Sequence, residues 1–167
     1  MRLAYGDLIA GVSGDMFVAA LLDLGLPLKK LGTELKKIPT LKFELHSAKK
    51  SVYAIRATQF KVICPEKESP RSWKQIRALI RRAKLNGEVK ATGLAIFTRL
   101  AEAEAKIHGG AVDDVHFHEV GATDSIVDIM AAAIGVHELG IECFAFSRIP
   151  LGRGILRSTH GPLPPPA

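Results

Sequence analysis

The stretch from His116 to Ile129 changes its side-chain period from two to about four. If residues 116–118 are extended, His116 and His118 point to the same face, because successive side chains of a strand alternate. From about residue 122 apolar residues recur at every fourth position, which is typical of a helix with one buried stripe. Asp124 and Asp128 are also four apart, so they are neighbours at the margin of that helix's buried face. The sequence therefore predicts two imidazoles and two carboxylates around one strand-to-helix junction.

Histidine nitrogens and carboxylate oxygens are suitable ligands for a divalent metal of borderline softness, such as nickel, zinc or manganese. Titratable groups that converge on one site also tend to mark function. We therefore predict a metal or metal–substrate site with His116, His118, Asp124 and Asp128 as ligands. The alternative is a structural role, because acidic residues in the first turn of a helix favour the helix dipole without any metal.

A second candidate site is the turn at residues 11–15, which reads Gly-Val-Ser-Gly-Asp. Ser13 is suited to cap the helix that follows, and the small residues leave backbone N–H groups exposed for a phosphate or carboxylate. We predict Ser13, Gly14 and Asp15 as binding residues. The turn lacks the Gly-Lys-Ser/Thr ending of a Walker loop. An ordinary strand-to-helix turn, or a cation held by Asp7 and Asp15, stays open as an alternative.

The remaining periodicity predicts an α/β or α+β fold, a single compact domain with a mixed sheet, a β-hairpin and about five helices. Ser72 and Gln75 form a capping-box pattern that marks one helix start. Alternating residues predict an antiparallel hairpin at about 41–64. The fourth helix is expected to end near Ile107 and His108, with His108 only a helix-end residue. Its predicted core face consists of Ile96, Leu100, Ala103 and Ile107.

Charge is unevenly distributed along the chain. The net charge is +6, but residues 28–90 alone hold 17 lysines and arginines against 5 acidic residues. A basic region attracts anionic small molecules or nucleic acid, yet no aromatic-rich nucleic-acid signature accompanies it. We predict no nucleic-acid partner, and most of these charges as solvated surface. A subset on the hairpin is the candidate for steering an anionic substrate: Lys49, Lys50, Arg56 and Lys61.

Targeting and cysteine signals are few. Cys64 and Cys143 are too far apart in sequence to indicate a disulfide framework or a thiolate metal motif. The N-terminus has no signal-peptide pattern, and the apolar runs are shorter than a membrane span. We therefore expect a cytoplasmic protein without a membrane partner.

Three motifs occur in order. The first is the Gly-Val-Ser-Gly-Asp-Met turn at 11–16, and the second is the His-Phe-His-Glu-Val-Gly-Ala-Thr-Asp-Ser-Ile-Val-Asp stretch at 116–128. The third is Pro-Leu-Gly-Arg-Gly at 150–154, followed by His-Gly-Pro-Leu-Pro at 160–164. Together they resemble the nickel-insertion protein of nickel-pincer cofactor biosynthesis. That family loads nickel into pyridinium-3,5-bisthiocarboxylic acid mononucleotide, which becomes the cofactor of lactate racemase. The resemblance implies a nickel insertase of the lyase or chelatase class, with Arg153 as a further cofactor-binding residue.

Members of that family are longer than this chain, and their C-terminal domain binds CTP with Mg or Mn. The resemblance therefore implies an N-terminal nickel and substrate domain at residues 1–161, and a proline-rich linker at 162–167 toward a CTP-binding domain. The implied partners are the mononucleotide substrate and that C-terminal domain. An acceptor of the apo lactate racemase type and a homo-oligomer stay open.

The reaction implied by the resemblance ends with a nickel–carbon bond, so a base must accept a proton from the pyridinium ring. His116, His118 and Glu119 are residue types that act as general bases, and we predict Glu119 and His118 as the catalytic residues. Two other functions stay open. One is a non-catalytic scaffold domain that binds the substrate or a partner. The other is a metal-dependent phosphohydrolase that uses Asp7, Asp15, Asp124 and Asp128.

Overall fold

A computed structural model of the chain describes residues 1–9, 11–64, 71–117, 120–150, 152, 154–158 and 161–163, with only the backbone of 52, 156, 158 and 163. The described residues divide into two compact units, one made of residues 1–13 and the chain from 141 onward, the other of residues 14–140. Their elements in chain order are β1 Leu3–Gly6, α1 Gly14–Asp23, α2 Leu28–Leu35, β2 Glu44–Val52, β3 Ile55–Ile63, α3 Trp73–Arg82, α4 Gly87–His108, a 3₁₀ helix Val112–Asp114, α5 Thr123–Glu138, β4 Cys143–Phe146, β5 Leu156–Ser158 and β6 Gly161–Leu163.

The smaller unit is built on a parallel pair of strands. β1 pairs with β4, and Leu3 lies opposite Cys143. Just beyond the strands, the Leu8 N–H donates a hydrogen bond of 2.7 Å to Ser147 Oγ, which extends the pairing by one side-chain contact. β5 and β6 form a short antiparallel pair. This pair lies partly in the stretch for which the sequence predicts a proline-rich linker, and residues 164–167 of that stretch lie outside the described residues.

The larger unit is organised around α5, which packs against α1, α2 and α4. The predicted stripe of Ile126, Met130 and Ile134 is confirmed, since each of these side chains is at most 1% exposed. Burial of a large apolar side chain stabilises the fold by about 1.5–3 kcal/mol, so this stripe is a main source of the unit's stability.

The predicted hairpin is also confirmed, as the antiparallel pair β2–β3. Its two-residue turn consists of Tyr53 and Ala54, and both have positive φ, 47° and 66°. A turn of this kind matches the right-handed twist of the two strands. Phe60 on β3 is 1% exposed, in the part of the hairpin that packs against α1.

The start of α3 carries the predicted capping box. The Gln75 N–H donates to Ser72 Oγ, and the Ser72 N–H donates to Gln75 Oε1. The first residue of the helix, Trp73, stacks on Phe97 of α4 with 6.4 Å between ring centroids. Phe97 also contacts Phe117 at 6.2 Å. This buried aromatic cluster joins α3 and α4 to the segment that precedes α5.

The predicted core face of α4 is wrong. Its buried residues are Val89, Gly93, Phe97, Ala101 and Ala105, whereas Ile107 is 77% exposed. The reason is close helix packing: a Cβ added to Gly93 would lie 2.5 Å from Met130 Sδ of α5. Small residues allow this approach, and a periodic pattern of large apolar residues does not reveal it.

The fold class predicted from the sequence is confirmed: the described residues form five α-helices together with parallel and antiparallel strand pairing. The strand pairs of the described residues lie in three two-stranded sheets. Among these residues, none of the helices combines the length and apolar character that crossing a membrane requires.

Candidate functional site

Three carboxylates from two helices meet at the start of α1. Asp15 lies in the first turn of α1, and Asp124 and Asp128 lie in the first two turns of α5. The approach is close because Gly14 has no side chain. A Cβ at Gly14 would lie 2.9 Å from Asp128 Cβ and 3.0 Å from its Oδ2. We call Asp15, Asp124 and Asp128 the carboxylate cluster.

Asp128 has the least favourable environment for a negative charge in the carboxylate cluster. Burial, followed by the negative charges of Asp15 and Asp124, raises its pKa to about 6. Its Oδ1 atom is buried and has no hydrogen-bond partner among the described residues. A buried carboxylate oxygen that is left unpaired is costly, and a bound cation would relieve both the missing partner and the repulsion.

The other two carboxylates are oriented by the backbone. Asp15 Oδ1 accepts a hydrogen bond of 2.9 Å from the Met16 N–H, and Asp124 Oδ1 accepts one of 2.7 Å from the Ser125 N–H. Both side chains lie in the first turn of their helix, where the dipole favours negative charge. The positions of these two residues therefore also fit a purely structural role in the first turn of a helix. It does not account for Asp128, which lies one turn further along α5.

The segment that holds His116 is extended and anchored at its start. Val115 and Phe117 are buried while His116 is exposed, so alternate side chains face the core and the solvent. The Val115 carbonyl accepts a hydrogen bond of 3.0 Å from the Trp73 N–H, and His116 forms an isolated antiparallel bridge with Ser72. The backbone of this segment is therefore anchored to the start of α3, with His116 on its solvent side.

The same segment is anchored again before α5. The Gly121 carbonyl accepts a hydrogen bond of 3.0 Å from the Arg71 N–H, and Arg71 Nη1 donates to Thr123 Oγ1 at 3.0 Å. A Cβ at Gly121 would lie 2.7 Å from two backbone atoms of Arg71, so the backbones touch here. His118 and Glu119 lie between the two anchors and outside the described residues.

His116 lines a cavity of about 290 Å³ together with other titratable side chains. The lining includes Glu104, His108 and Asp114. His108 ends α4, as predicted, and its Nε2 lies 3.3 Å from Glu104 Oε2. The sequence treats His108 as a helix-end residue only. Its placement in one cavity with His116 follows from the return of the chain after α4 and has no local sequence signal.

Comparison with known proteins decides the family. The sequence profile of the family described as nickel insertion protein matches residues 4–167. The chain belongs to the nickel insertion protein family. A relative from Syntrophobacter fumaroxidans is 48% identical over the whole chain, which covers 43% of that relative. The chain is also 45% identical, again over its whole length, to proteins of Desulfitobacterium hafniense and Geobacillus kaustophilus, and covers 42% and 43% of them. Both are named pyridinium-3,5-bisthiocarboxylic acid mononucleotide nickel insertion protein.

The resemblance noted from the three motifs is thus confirmed at the level of the family. This nickel insertion family chain spans less than half the length of the curated relatives it matches. No solved structure matches it.

The nickel-ligand set predicted from the sequence stays a prediction. Asp124 and Asp128 are neighbours, as their spacing requires, but His118 lies outside the described residues. Within the described part of the chain, no three histidine, cysteine, aspartate or glutamate side chains already form a group that could hold a metal ion. Of the other predicted residues, Ser13 directly precedes α1, whereas Glu119 and Arg153 lie outside the described residues.

Proposed function

We propose that this chain binds nickel and pyridinium-3,5-bisthiocarboxylic acid mononucleotide and carries out nickel insertion, as a nickel insertase of the lyase or chelatase class. The observation that supports this most directly is Asp128, whose buried Oδ1 has no partner among the described residues and whose neighbours are two further carboxylates. The names of the relatives at 45% identity supply the metal and the substrate.

We further propose that the complete protein needs CTP with Mg or Mn, bound by a C-terminal domain beyond residues 1–161. The relatives are more than twice as long as this chain, which leaves room for such a domain. The product would be the nickel-pincer cofactor of lactate racemase, made in the cytoplasm, with an apo racemase as a candidate acceptor. Residues 162–167 would form the linker between the two domains.

Nickel is a substrate in this reaction, so it must be held and then released. Carboxylate oxygens of Asp124 and Asp128 and the imidazoles of His116 and His118 are the proposed ligands. Oxygen and nitrogen ligands hold a borderline metal reversibly, and the softer sulfur atoms of a thiocarboxylate compete well for it.

A nickel–carbon bond forms at the expense of a carbon–hydrogen bond of the ring, and the proton must leave to a base. We propose His118 or Glu119 for this role, with His116 as the alternative. His116 is exposed on an extended segment whose backbone is anchored to the start of α3, so its imidazole is accessible to a bound substrate. A base held near the reacting carbon can accept the proton without the entropic cost of a separate encounter.

The test is calorimetric titration of nickel into wild type and Asp128→Asn, with and without the mononucleotide substrate. Asp128→Asn keeps the size of the side chain and removes its charge, so we expect nickel affinity to fall about tenfold or more. Glu102→Gln is the matched control, because Glu102 is an exposed carboxylate of α4. Equal nickel affinity in wild type and Asp128→Asn would show that the carboxylate cluster does not bind nickel. Magnesium-dependent phosphate release from simple nucleotides would instead favour a phosphohydrolase.

A further inference from the structure

A second cavity opens at the start of α1, on the side of the hairpin. Its volume is about 230 Å³, and α1 and the hairpin supply its lining: Asp15, Met16, Ala19, Lys50, Ala57, Thr58, Gln59 and Phe60. Ala19 and Phe60 are buried and form an apolar floor, whereas Asp15 and Lys50 are exposed at the rim. The cavity therefore has an apolar interior with one negative and one positive charge at its mouth.

An exposed polar network connects the other end of α1 to the hairpin. Asp23 accepts hydrogen bonds from Lys49 Nζ and from Thr58 Oγ1, the latter at 2.6 Å. The Lys49 ammonium is the main reason why the pKa of Asp23 is lowered. Thr58 also lines the cavity, so this network adjoins the part of the cavity wall that β3 forms.

The size of the cavity limits what it can hold. An apolar cavity of about 150 Å³ accommodates benzene, whereas pockets for drug-sized ligands begin at about 300 Å³. A volume of about 230 Å³ thus fits a substituted six-membered ring and is too small for a whole mononucleotide. The ribose and phosphate of such a ligand would lie outside.

The charges limit the ligand further. A carboxylate on one side and an ammonium on the other, above an apolar floor, complement a flat ring that itself carries both signs of charge. Met16 adds a thioether at the rim, which packs well against aromatic rings. We propose that this cavity binds the pyridinium ring of the substrate, with Asp15 facing the ring cation and Lys50 facing an anionic substituent of the ring.

This inference rests on the proposed function and deepens it, because it assigns a place to the substrate ring. Asp15 belongs both to this cavity and to the carboxylate cluster. A ring bound here therefore lies next to the carboxylates proposed to hold nickel. The sequence names Lys50 only as one of four hairpin charges that could steer an anionic substrate, and its place in one cavity with Asp15 depends on the packing of the hairpin against α1.

The experiment measures binding of three metal-free probes to the whole chain by calorimetry. Nicotinic acid mononucleotide has a pyridinium ring with a carboxylate, nicotinamide mononucleotide has the same ring with a neutral amide, and uridine monophosphate has no ring cation. The variants are Asp15→Asn, Lys50→Ala and Ala57→Leu, which narrows the cavity from its exposed rim. The matched controls are Lys42→Ala and Ala48→Leu, exposed residues of the same region that do not line the cavity.

We expect wild type to bind both pyridinium probes and to bind uridine monophosphate at least about tenfold more weakly. Lys50→Ala should weaken nicotinic acid mononucleotide about tenfold and nicotinamide mononucleotide less than about threefold, because only the former offers a ring carboxylate. Asp15→Asn and Ala57→Leu should weaken both pyridinium probes, and the two controls neither.

Three results would overturn the assignment. If Lys50→Ala weakens the affinity for both pyridinium probes equally, Lys50 contacts the phosphate and not a substituent of the ring. Unchanged binding in Ala57→Leu would place the ring elsewhere, and so would a wild type that does not distinguish pyridinium probes from uridine monophosphate. Because nickel is absent, a failure here leaves the nickel titration of Asp128→Asn unaffected. If the wild type binds no nickel, or binds it no more tightly than Asp128→Asn, while probe binding stays dependent on Lys50, the proposed function alone is overturned.

Discussion

Gly14 at the start of α1 lies against Asp128 of α5 so closely that a methyl group on Gly14 would come within 2.9 Å of Asp128 Cβ. The contact brings Asp15, the next residue of α1, to the two aspartates of α5. The meeting of two helix starts is what makes three separate acidic residues into one cluster.

The first prediction concerns this contact. Gly14→Ala should destabilise the chain by about 1–3 kcal/mol, because the methyl group has no room and overpacking forces a shift of the helices. Gly87→Ala is the matched control: Gly87 is also the first residue of a helix, and a Cβ there meets nothing within 4 Å. Chemical denaturation of both variants measures the difference. Equal stability of Gly14→Ala and wild type would show that α1 and α5 are further apart.

The second prediction concerns pH. The pKa of Asp128 is raised from 3.8 to about 6, so its ionised form destabilises the folded state. The penalty is absent below pH 3.8, grows between 3.8 and 6, and is complete above 6. Such a rise in pKa corresponds to about 3 kcal/mol, which solvent screening of this partly exposed group reduces to about 1 kcal/mol.

Asp128→Asn should therefore raise the metal-free free energy of unfolding by about 1 kcal/mol at pH 7.5 and leave it unchanged near pH 3.5. Glu102→Gln, on an exposed position of α4, serves as the control for the loss of one negative charge. Denaturant unfolding at the two pH values measures the effect. A stabilisation that is the same at both pH values would contradict the raised pKa.

The third prediction concerns the histidines. His116→Ala and His118→Ala should each weaken nickel binding about tenfold, and affinity should be lower at pH 5.5 than at pH 7.5 because imidazole binds metal only when it is neutral. His46→Ala is the better control than His108→Ala, since His108 shares a cavity with His116. Nickel titration at both pH values measures this. Wild-type affinity in His118→Ala, or no pH dependence, would move the metal site elsewhere.

The fourth prediction concerns the basic hairpin. Alanine at Lys50 and Arg56 should slow association of the anionic substrate several-fold at low salt and flatten its salt dependence. Lys49→Ala should do less, because Asp23 already offsets the Lys49 charge. Stopped-flow mixing over a range of NaCl concentrations measures these rates. An unchanged association rate in the Lys50 and Arg56 variant at low salt would show that the hairpin charges serve solubility and do not steer the substrate.

The sequence by itself determined the local parts of the candidate site. The spacing of Asp124 and Asp128 places them on one side of α5, and the alternation around His116 predicts an extended segment; both depend on periods of a few residues. The capping box at Ser72 and the hairpin were predictable for the same reason, since capping and turn signals act between residues close in sequence. The family resemblance likewise came from contiguous motifs.

Only the tertiary structure decided which of these parts meet. The buried face of α4 contains Gly93 and not the larger apolar residues predicted for it, because Gly93 allows close packing against Met130 of α5. Asp128 lies beside the start of α1, and its Oδ1 has no hydrogen-bond partner among the described residues. Lys50 lines the cavity that contains Asp15 because the hairpin packs against α1. These outcomes depend on packing between segments tens of residues apart, and complementary shape and burial leave no periodic trace in the chain.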